Sequence, residues 1–223
     1  MSGVAGKLFV IEGTDGSGKS TQFQLLCRAM TEAGIHHREV VFPRYAEESS
    51  ALVRMYLGGK FGSRPDDVGP YAASTFYAVD RYASYKTDWQ ADYQAGVPVL
   101  CDRYTTSNAV HQAAKLQGDE REQYLRWLFD FEYRLLGLPE PDEVFFLDMP
   151  AQKALELLHR RQGDAGDIHE TDHEYLARCR DSALGLCARC GWTRIDCAPS
   201  GTPRSPEDIS ADIVRRVMRA LGR

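Results

Sequence analysis

Short apolar runs alternate along the chain with longer stretches in which apolar residues recur every three or four positions. The runs at 7–12, 97–101, 143–147 and 192–196, and a weaker one at 39–42, have the length and the boundaries of buried strands. The stretches 18–32, 47–57, 70–95, 106–116, 120–136 and 151–161 are expected to be helices. Two more follow, one running to 190 and one opening at Pro206. Local residues set several ends. Gly34 closes 18–32, Pro43 stops the second strand, and Gly58-Gly59 closes 47–57. Pro70 suits the first position of the long helix, Gly118 divides the next two, and Thr171 or Asp172 is a natural cap for the helix to 190. The polar, glycine-bearing stretches 60–69 and 162–170 are expected to be loops that cover a site. Strands alternating with helices predict an α/β fold with a largely parallel sheet, in a single domain over 1–223.

The formal net charge of -5 argues against a dedicated nucleic-acid binder but leaves room for local basic clusters that hold an anionic small molecule. No apolar stretch approaches the roughly 20 residues of a membrane span. The opening M-S-G-V-A-G-K has no apolar signal core, so a cytoplasmic protein with neither membrane nor nucleic-acid partner is expected. Of the six cysteines, Cys101 and Cys197 fall in strand-like runs. Cys187-x-x-Cys190 lies in a helical segment without two further ligands at zinc spacing, and reads as helix packing. His169-Glu170-Thr171-Asp172-His173 matches H-E-x-x-H but straddles a polar loop and a helix start. Its imidazoles therefore lack the shared helical face that a zinc protease needs.

The chemistry concentrates at 13–20, where G-T-D-G-S-G-K-S stands between a strand and a helix and completes G-x-x-x-x-G-K-[ST]. Gly13, Gly16 and Gly18 let the backbone turn its N–H groups inward, and the helix that follows aims further unsatisfied N–H groups at an anion. The segment Gly13, Thr14, Asp15, Gly16, Ser17, Gly18, Lys19, Ser20 and Thr21 is thus a cradle for the phosphates of ATP. Lys19 supplies a charge over them and Ser20 a hydroxyl for Mg²⁺. Asp102 ends an apolar run, where a strand's carboxyl end would put it beside the same Mg²⁺, and Arg103 follows with a fork suited to phosphate. Asp15 places a carboxylate inside an anion-binding loop, which suits orienting an acceptor hydroxyl or a phosphate-bound arginine and otherwise reads as a solvated loop residue. Tyr77 and Arg81 share one helical face, where a ring and a guanidinium suit a base and its edge or phosphate, and equally suit amphipathic packing. Arg160 and Arg161 end a helix just before a glycine-bearing loop.

E-G-T-D-G-S-G-K-S-T-Q at 12–22, F-P-R-Y at 42–45, F-Y-A-V-D-R-Y at 76–82, C-D-R-Y-T-T-S-N at 101–108 and R-R-Q-G-D-A-G-D-I-H-E at 160–170 together resemble the thymidylate kinases, of the type with lid arginines. The resemblance covers nearly the whole chain. It implies the P-loop nucleoside monophosphate kinase fold, with a five-stranded parallel sheet in the order 2-3-1-4-5 flanked by helices. It further implies a homodimer and Mg²⁺-dependent transfer of phosphate from ATP to dTMP. Asp15 would meet the sugar 3′-hydroxyl. Tyr77 stands where the family usually stacks a phenylalanine on thymine, and Arg81 where an arginine reads the base edge. Asp102 and Arg103 would serve Mg²⁺ and the acceptor phosphate, and Tyr104 would exclude a ribose. Thr106, Ser107 and Asn108 would approach the base. Phe42, Pro43 and Arg44 would flank the acceptor, although Arg44 sits one position before the family's F-P-x-R arginine, where this chain has Tyr45. Gly16 stands where some members carry an arginine, so Arg160 and Arg161 on a lid at 160–170 would supply the missing charge. The adenine would rest near Arg160 and the 198–201 loop. Asp15, Lys19, Arg103, Arg160 and Arg161 are then the catalytic set. A deoxynucleoside kinase or another nucleoside monophosphate kinase is the alternative reading; a guanine-nucleotide switch would need N-K-x-D, which the chain lacks.

Overall fold

A computed structural model describes residues 5–162 and 173–223. In chain order the elements are β1 (Leu8–Gly13), α1 (Lys19–Glu32), β2 (Arg38–Val41), α2 (Ala51–Leu57), α3 (Pro70–Ser84), α4 (Gln90–Gln94) and β3 (Val99–Asp102). They continue with α5 (Thr105–His111), α6 (Gly118–Phe129), β4 (Glu143–Asp148), α7 (Ala151–Gln162), α8 (His173–Cys190), β5 (Thr193–Asp196) and α9 (Pro206–Ala220). The strands form one sheet in the order β2-β3-β1-β4-β5, and every pairing is parallel. This is the expected topology. Helices cover both faces, so β1 and β3 are buried at every position, while edge strands β2 and β5 alternate buried with exposed residues. None of the described helices is long and apolar enough to cross a membrane.

Period-two alternation divides the core. Phe9 and Ile11 face a cluster with Phe23, Leu26, Ile213 and Val217 of α1 and α9. Leu8 and Val10 face the other side, with Trp89, Val99 and Tyr104. A further cluster joins α5, α6 and α8 through Val110, Leu128, Tyr175 and Leu186. The register sets Ile11 beside Asp102 on one side and Phe145 on the other, and Val41 also meets Asp102. The carboxyl ends of three adjacent strands therefore finish level, at the sheet edge where ligands gather in such folds.

Where the structure departs from the periodic pattern, the cause is tertiary. The long helix from Pro70 is continuous, but a π-helical segment, Tyr85–Trp89, separates α3 from α4. It accompanies the burial of both Tyr85 and Trp89 against the sheet, with Trp89 Nε1 donating to Ser84 Oγ at 3.2 Å. A second π segment, Asp130–Leu135, continues α6 and carries Glu132 to full burial. The expected helix over 106–116 is shorter, with α5 passing into a 3₁₀ turn at Ala113–Lys115. The expected loop 60–69 contains a 3₁₀ turn, Pro65–Asp67. Strand β2 begins and ends one residue earlier than expected, at Arg38 and Val41. The expected cap at Thr171 or Asp172, the first four residues of H-E-x-x-H and most of the 160–170 lid lie outside the described residues; His173 opens α8.

Glu132 is the hinge of this packing. Its Oε2 accepts from Arg81 Nε at 2.6 Å and from Thr105 Oγ1 at 2.7 Å, and its Oε1 accepts from Arg81 Nη2 at 2.5 Å. Both charged side chains are essentially dry, so each is tolerable only because of the other. Replacing Glu132 with Gln strands the Arg81 guanidinium. The expected cost is about 3–5 kcal/mol, measured by urea unfolding at unchanged slope; a loss under about 1 kcal/mol would show that the pair is dispensable.

Candidate active site

The phosphate loop runs from Gly13 at the end of β1 to Gly18, which enters α1 with φ of 90°. No helix-interior residue other than glycine adopts that conformation cheaply. At Gly16 the φ is 79°, and a Cβ there would lie 2.0 Å from the Ala154 carbonyl oxygen of α7. Close approach of α7 to the loop thus excludes any side chain at 16. An arginine in that position would require α7 to move, which gives a steric reason for the glycine.

Beneath the loop lie two cations and three carboxylates. Lys19 is buried, and its Nζ donates to the Thr14 carbonyl at 2.8 Å and reaches Asp15 Oδ1 at 3.4 Å. Asp15 also accepts from Arg103 Nη2 in a short ion pair. Burial and then Arg103 pull the Lys19 pKa down, against the opposing charges of Asp15, Asp102 and Glu12. Burial works against the charge of Arg103 as well, but Asp15, Glu12 and Asp102 outweigh it and raise its pKa. Arg103 is the only described non-glycine residue with positive φ, at 66°, and its N–H donates to the Ile11 carbonyl at 3.1 Å. Such a conformation costs about 1–3 kcal/mol and clusters at functional sites. Here it turns the chain sharply after β3, so that the guanidinium points back to the loop.

Glu12 is fully buried at the end of β1. Its Oε1 accepts from Tyr104 N–H at 3.3 Å and from the hydroxyls of Thr106 and Ser107, each at 2.7 Å. Burial pushes its pKa up; Arg103 and the two hydroxyls oppose that shift. The carboxylate stitches β1 to the start of α5. Its other oxygen and Asp102 Oδ1 are both buried and have no hydrogen-bond partner among the described residues. Such an oxygen at a strand terminus beside the phosphate loop suits a hydrated divalent cation, and the Ser20 hydroxyl stands exposed on the first turn of α1.

Next to this charge cluster opens a cleft. Asp15 and Arg103 form its inner end, and Phe42, Pro43 and Tyr45 one wall. Tyr77 and Arg81 of α3 form a second wall, and Tyr104, Ser107 and Asn108 a third. All nine expected substrate-side residues of this group other than Tyr45, which the motif merely contained, thus meet in one cleft. The Tyr77 ring is braced edge-on by Tyr56 at 6.4 Å. Three of the five Arg81 N–H groups are committed, to Glu132 and to the Tyr104 carbonyl at 3.3 Å, which leaves two for a ligand. Tyr104 is buried, with its hydroxyl donating to the Pro139 carbonyl at 3.0 Å. Asn108 Nδ2 donates to the Ser74 carbonyl at 3.3 Å.

Arg44 is placed differently. Its Nε donates to Asp80 Oδ1 at 3.2 Å, its backbone N–H to Asp80 Oδ2 at 2.8 Å, and its Nη2 to Ser49 Oγ at 3.1 Å. It does not line the cleft; it fastens the Phe42–Pro43 wall to α3. The one-residue offset in the motif is the reason, since adjacent side chains point in different directions. Arg160 and Arg161 belong to the last turns of α7, but their side chains lie outside the described residues.

Sequence reasoning missed Glu12, Glu132, His111 and Gln112. The last two line the cleft from the far end of α5. Glu12 had left a signal, a carboxylate closing an apolar run that is buried on both sides. Glu132 left none, because a surface-like helical pattern hides it until the π segment turns it inward.

The model of the family described as "Thymidylate kinase" matches residues 11–209. The thymidylate kinase of Mycobacterium tuberculosis is 34% identical over 190 residues, covering 83% of this chain and 87% of that protein. That of Ruegeria pomeroyi is 29% identical over 226 residues, covering 100% and 99%. A probable thymidylate kinase of Pyrococcus horikoshii is 30% identical over 220 residues, covering 97% and 98%. Among solved structures, the thymidylate kinase of Candida albicans superposes with a TM-score of 0.70 at 20% identity, over 98% of this chain and 93% of that one, a likeness of fold. The family model spans most of the chain that carries this phosphate loop and cleft, and a thymidylate kinase 34% identical covers 83% of it, so this chain belongs to the thymidylate kinase family.

Proposed function

We propose that this protein transfers the γ-phosphoryl group of ATP to dTMP, giving dTDP and ADP. The observation that carries the reading is the Asp15–Arg103 ion pair, which belongs at once to the phosphate loop and to the inner end of the cleft. A donor held by the first and an acceptor held by the second would meet across it.

The triphosphate lies along the amides from Gly13 to Thr21, with Lys19 released from the Thr14 carbonyl onto the β- and γ-phosphates. dTMP enters the cleft base first. Its thymine faces the Tyr77 ring, and the two uncommitted Arg81 N–H groups read its edge. Its 3′-hydroxyl meets Asp15 and its phosphate meets Arg103. Tyr104, buried beside the sugar position, would exclude a 2′-hydroxyl. Ser107 and Asn108 close the cleft on the base side, and Arg44 acts at one remove, through Asp80. An oxygen of the dTMP phosphate then bonds to the γ-phosphorus while the bond from that phosphorus to the β,γ-bridging oxygen breaks, and the electron pair leaves on ADP. The attacking group is already anionic near neutral pH, since its second ionisation lies near about 6, so no general base is required. Alignment and charge stabilisation do the work, through Lys19, Arg103, Arg160 and Arg161. Ser20 and Asp102 would hold Mg²⁺, which when bound neutralises charge on the β- and γ-oxygens. The steric block at Gly16 supports looking for the arginine charge elsewhere, at Arg160 and Arg161. The adenine would rest near Arg160 and the Pro199–Gly201 turn. The working form is a cytoplasmic homodimer.

The direct test is coupled-assay turnover with dTMP, dUMP, dCMP, dGMP and thymidine side by side. dTMP is expected to have the highest kcat/KM; thymidine outrunning dTMP would establish a nucleoside kinase instead. Lys19→Ala is expected to lower kcat by on the order of 10²–10³-fold or more, and near-normal turnover would remove Lys19 from the reaction. For the α7 arginines, the double variant Arg160→Ala/Arg161→Ala should lose about 10³-fold in kcat, with ATP affinity by calorimetry changed much less. An unchanged steady-state rate would leave the missing charge to another group.

A further inference from the structure

We propose that Cys27, His37 and Glu39 form a zinc-binding site at the edge of the sheet, separate from the nucleotide site. The sulfur, an imidazole nitrogen and a carboxylate oxygen of these residues all lie within 4.8 Å of one another. Cys27 is on α1, eight residues past Lys19, which at 1.5 Å per residue is about 12 Å along the helix. His37 directly precedes edge strand β2, and Glu39 is its second residue. Strands of a parallel sheet all start at one edge, so this cluster sits opposite the edge that carries the phosphate loop. The two-residue spacing puts His37 and Glu39 on one side of the extended chain.

The histidine presents one ring nitrogen to the cluster. Its Nδ1 lies 2.8 Å from the Ile35 carbonyl. A carbonyl only accepts, so Nδ1 is the donor there and Nε2 is the ring nitrogen left to face a metal. Nε2 lies 3.3 Å from Glu39 Oε1, and the His37 side chain is only 6% exposed. A proton on Nε2 would bridge these two atoms by itself, but the Cys27 sulfur adds a third, soft donor to the same point. One sulfur, one nitrogen and one oxygen suit zinc and disfavour magnesium or calcium. Bonds of 2.0–2.3 Å in a tetrahedron put ligand atoms about 3.3–3.6 Å apart. The 3.3 Å between His37 and Glu39 already meets this, so the remaining contraction, up to about 1.5 Å, is an approach of the Cys27 sulfur to that pair, with Glu39 53% exposed on the outer side. The fourth position is left for water on that exposed side. As the zinc–sulfur bond forms, the thiol proton leaves to solvent. The site would clamp α1, which carries the phosphate loop, to β2, which leads into Phe42 and Pro43 of the cleft.

The test uses the full chain, stripped with chelator and titrated with Co²⁺ as the spectroscopic substitute for zinc. One equivalent is expected to produce a near-ultraviolet thiolate-to-cobalt charge-transfer band, and one equivalent of Zn²⁺ to bleach it. Cys27→Ser should abolish the band, while Cys187→Ser/Cys190→Ser should leave it intact. His37→Gln should weaken cobalt binding at least about tenfold, and this variant decides the matter if Cys27→Ser does not fold. The absence of a band in the parent chain, its survival in Cys27→Ser, its loss in the Cys187/Cys190 double variant or an unaltered affinity in His37→Gln would each overturn the proposal.

Discussion

Two cations, Lys19 and Arg103, are held side by side beneath a loop of inward-turned amides before any phosphate is bound. Left alone they would repel each other and seek water. Asp15 prevents this, with Arg103 in a short ion pair on one side and Lys19 within 3.4 Å on the other. Asp102 and Glu12 add their charge from the ends of β3 and β1. The carboxylates therefore supply the negative charge that the two cations need, and the site is folded around its own electrostatic balance. Cations held this way are in position beforehand, which is the condition under which fixed charges stabilise developing negative charge best.

That balance rests on the sheet. Parallel register brings Ile11, Asp102 and Val41 level, so three strands deliver their following residues to one place. The turn after β3 is the strained one, with Arg103 at positive φ, and it is held by the Ile11 carbonyl and by Glu12 gripping Tyr104, Thr106 and Ser107. On the far side of the cleft, Arg81 is fixed by Glu132 in the same manner, one buried charge answering another. Each cleft-lining arginine thus has a carboxylate behind it: Asp15 for Arg103, Glu132 for Arg81. Arg44, which has Asp80, braces the wall between them. Fixing a guanidinium this way restricts its rotamers before binding and lowers the entropy lost when a ligand is gripped.

The layered fold was legible because its signals are local. Leu8 to Ile11 form a continuous apolar run since both faces of a central parallel strand are covered, and Gly18 and Lys19 can occupy their places only where a strand turns into a phosphate-binding helix. The pairing of Tyr77 with Arg81 on one helical face followed from spacing alone, and both reach the cleft. The π segments did not announce themselves. A period of 3.6 is read from the residues of one helix, whereas the extra residue at Tyr85–Trp89 or Asp130–Leu135 is accommodated by what lies across from it.

The chain's order of residues determined the sheet, the phosphate loop and the family, since strand burial, glycine backbone freedom and helix periodicity are each properties of a few consecutive positions. Tertiary structure alone decided which carboxylate answers which arginine. Arg44 turned to Asp80 rather than the cleft, Arg81 found Glu132 some 51 positions away, and Gly16 was held to glycine by a carbonyl of α7. The physical reason is that a buried charge is stable only beside its counter-charge, and the partner is chosen by which elements the fold brings together, at separations no local pattern spans.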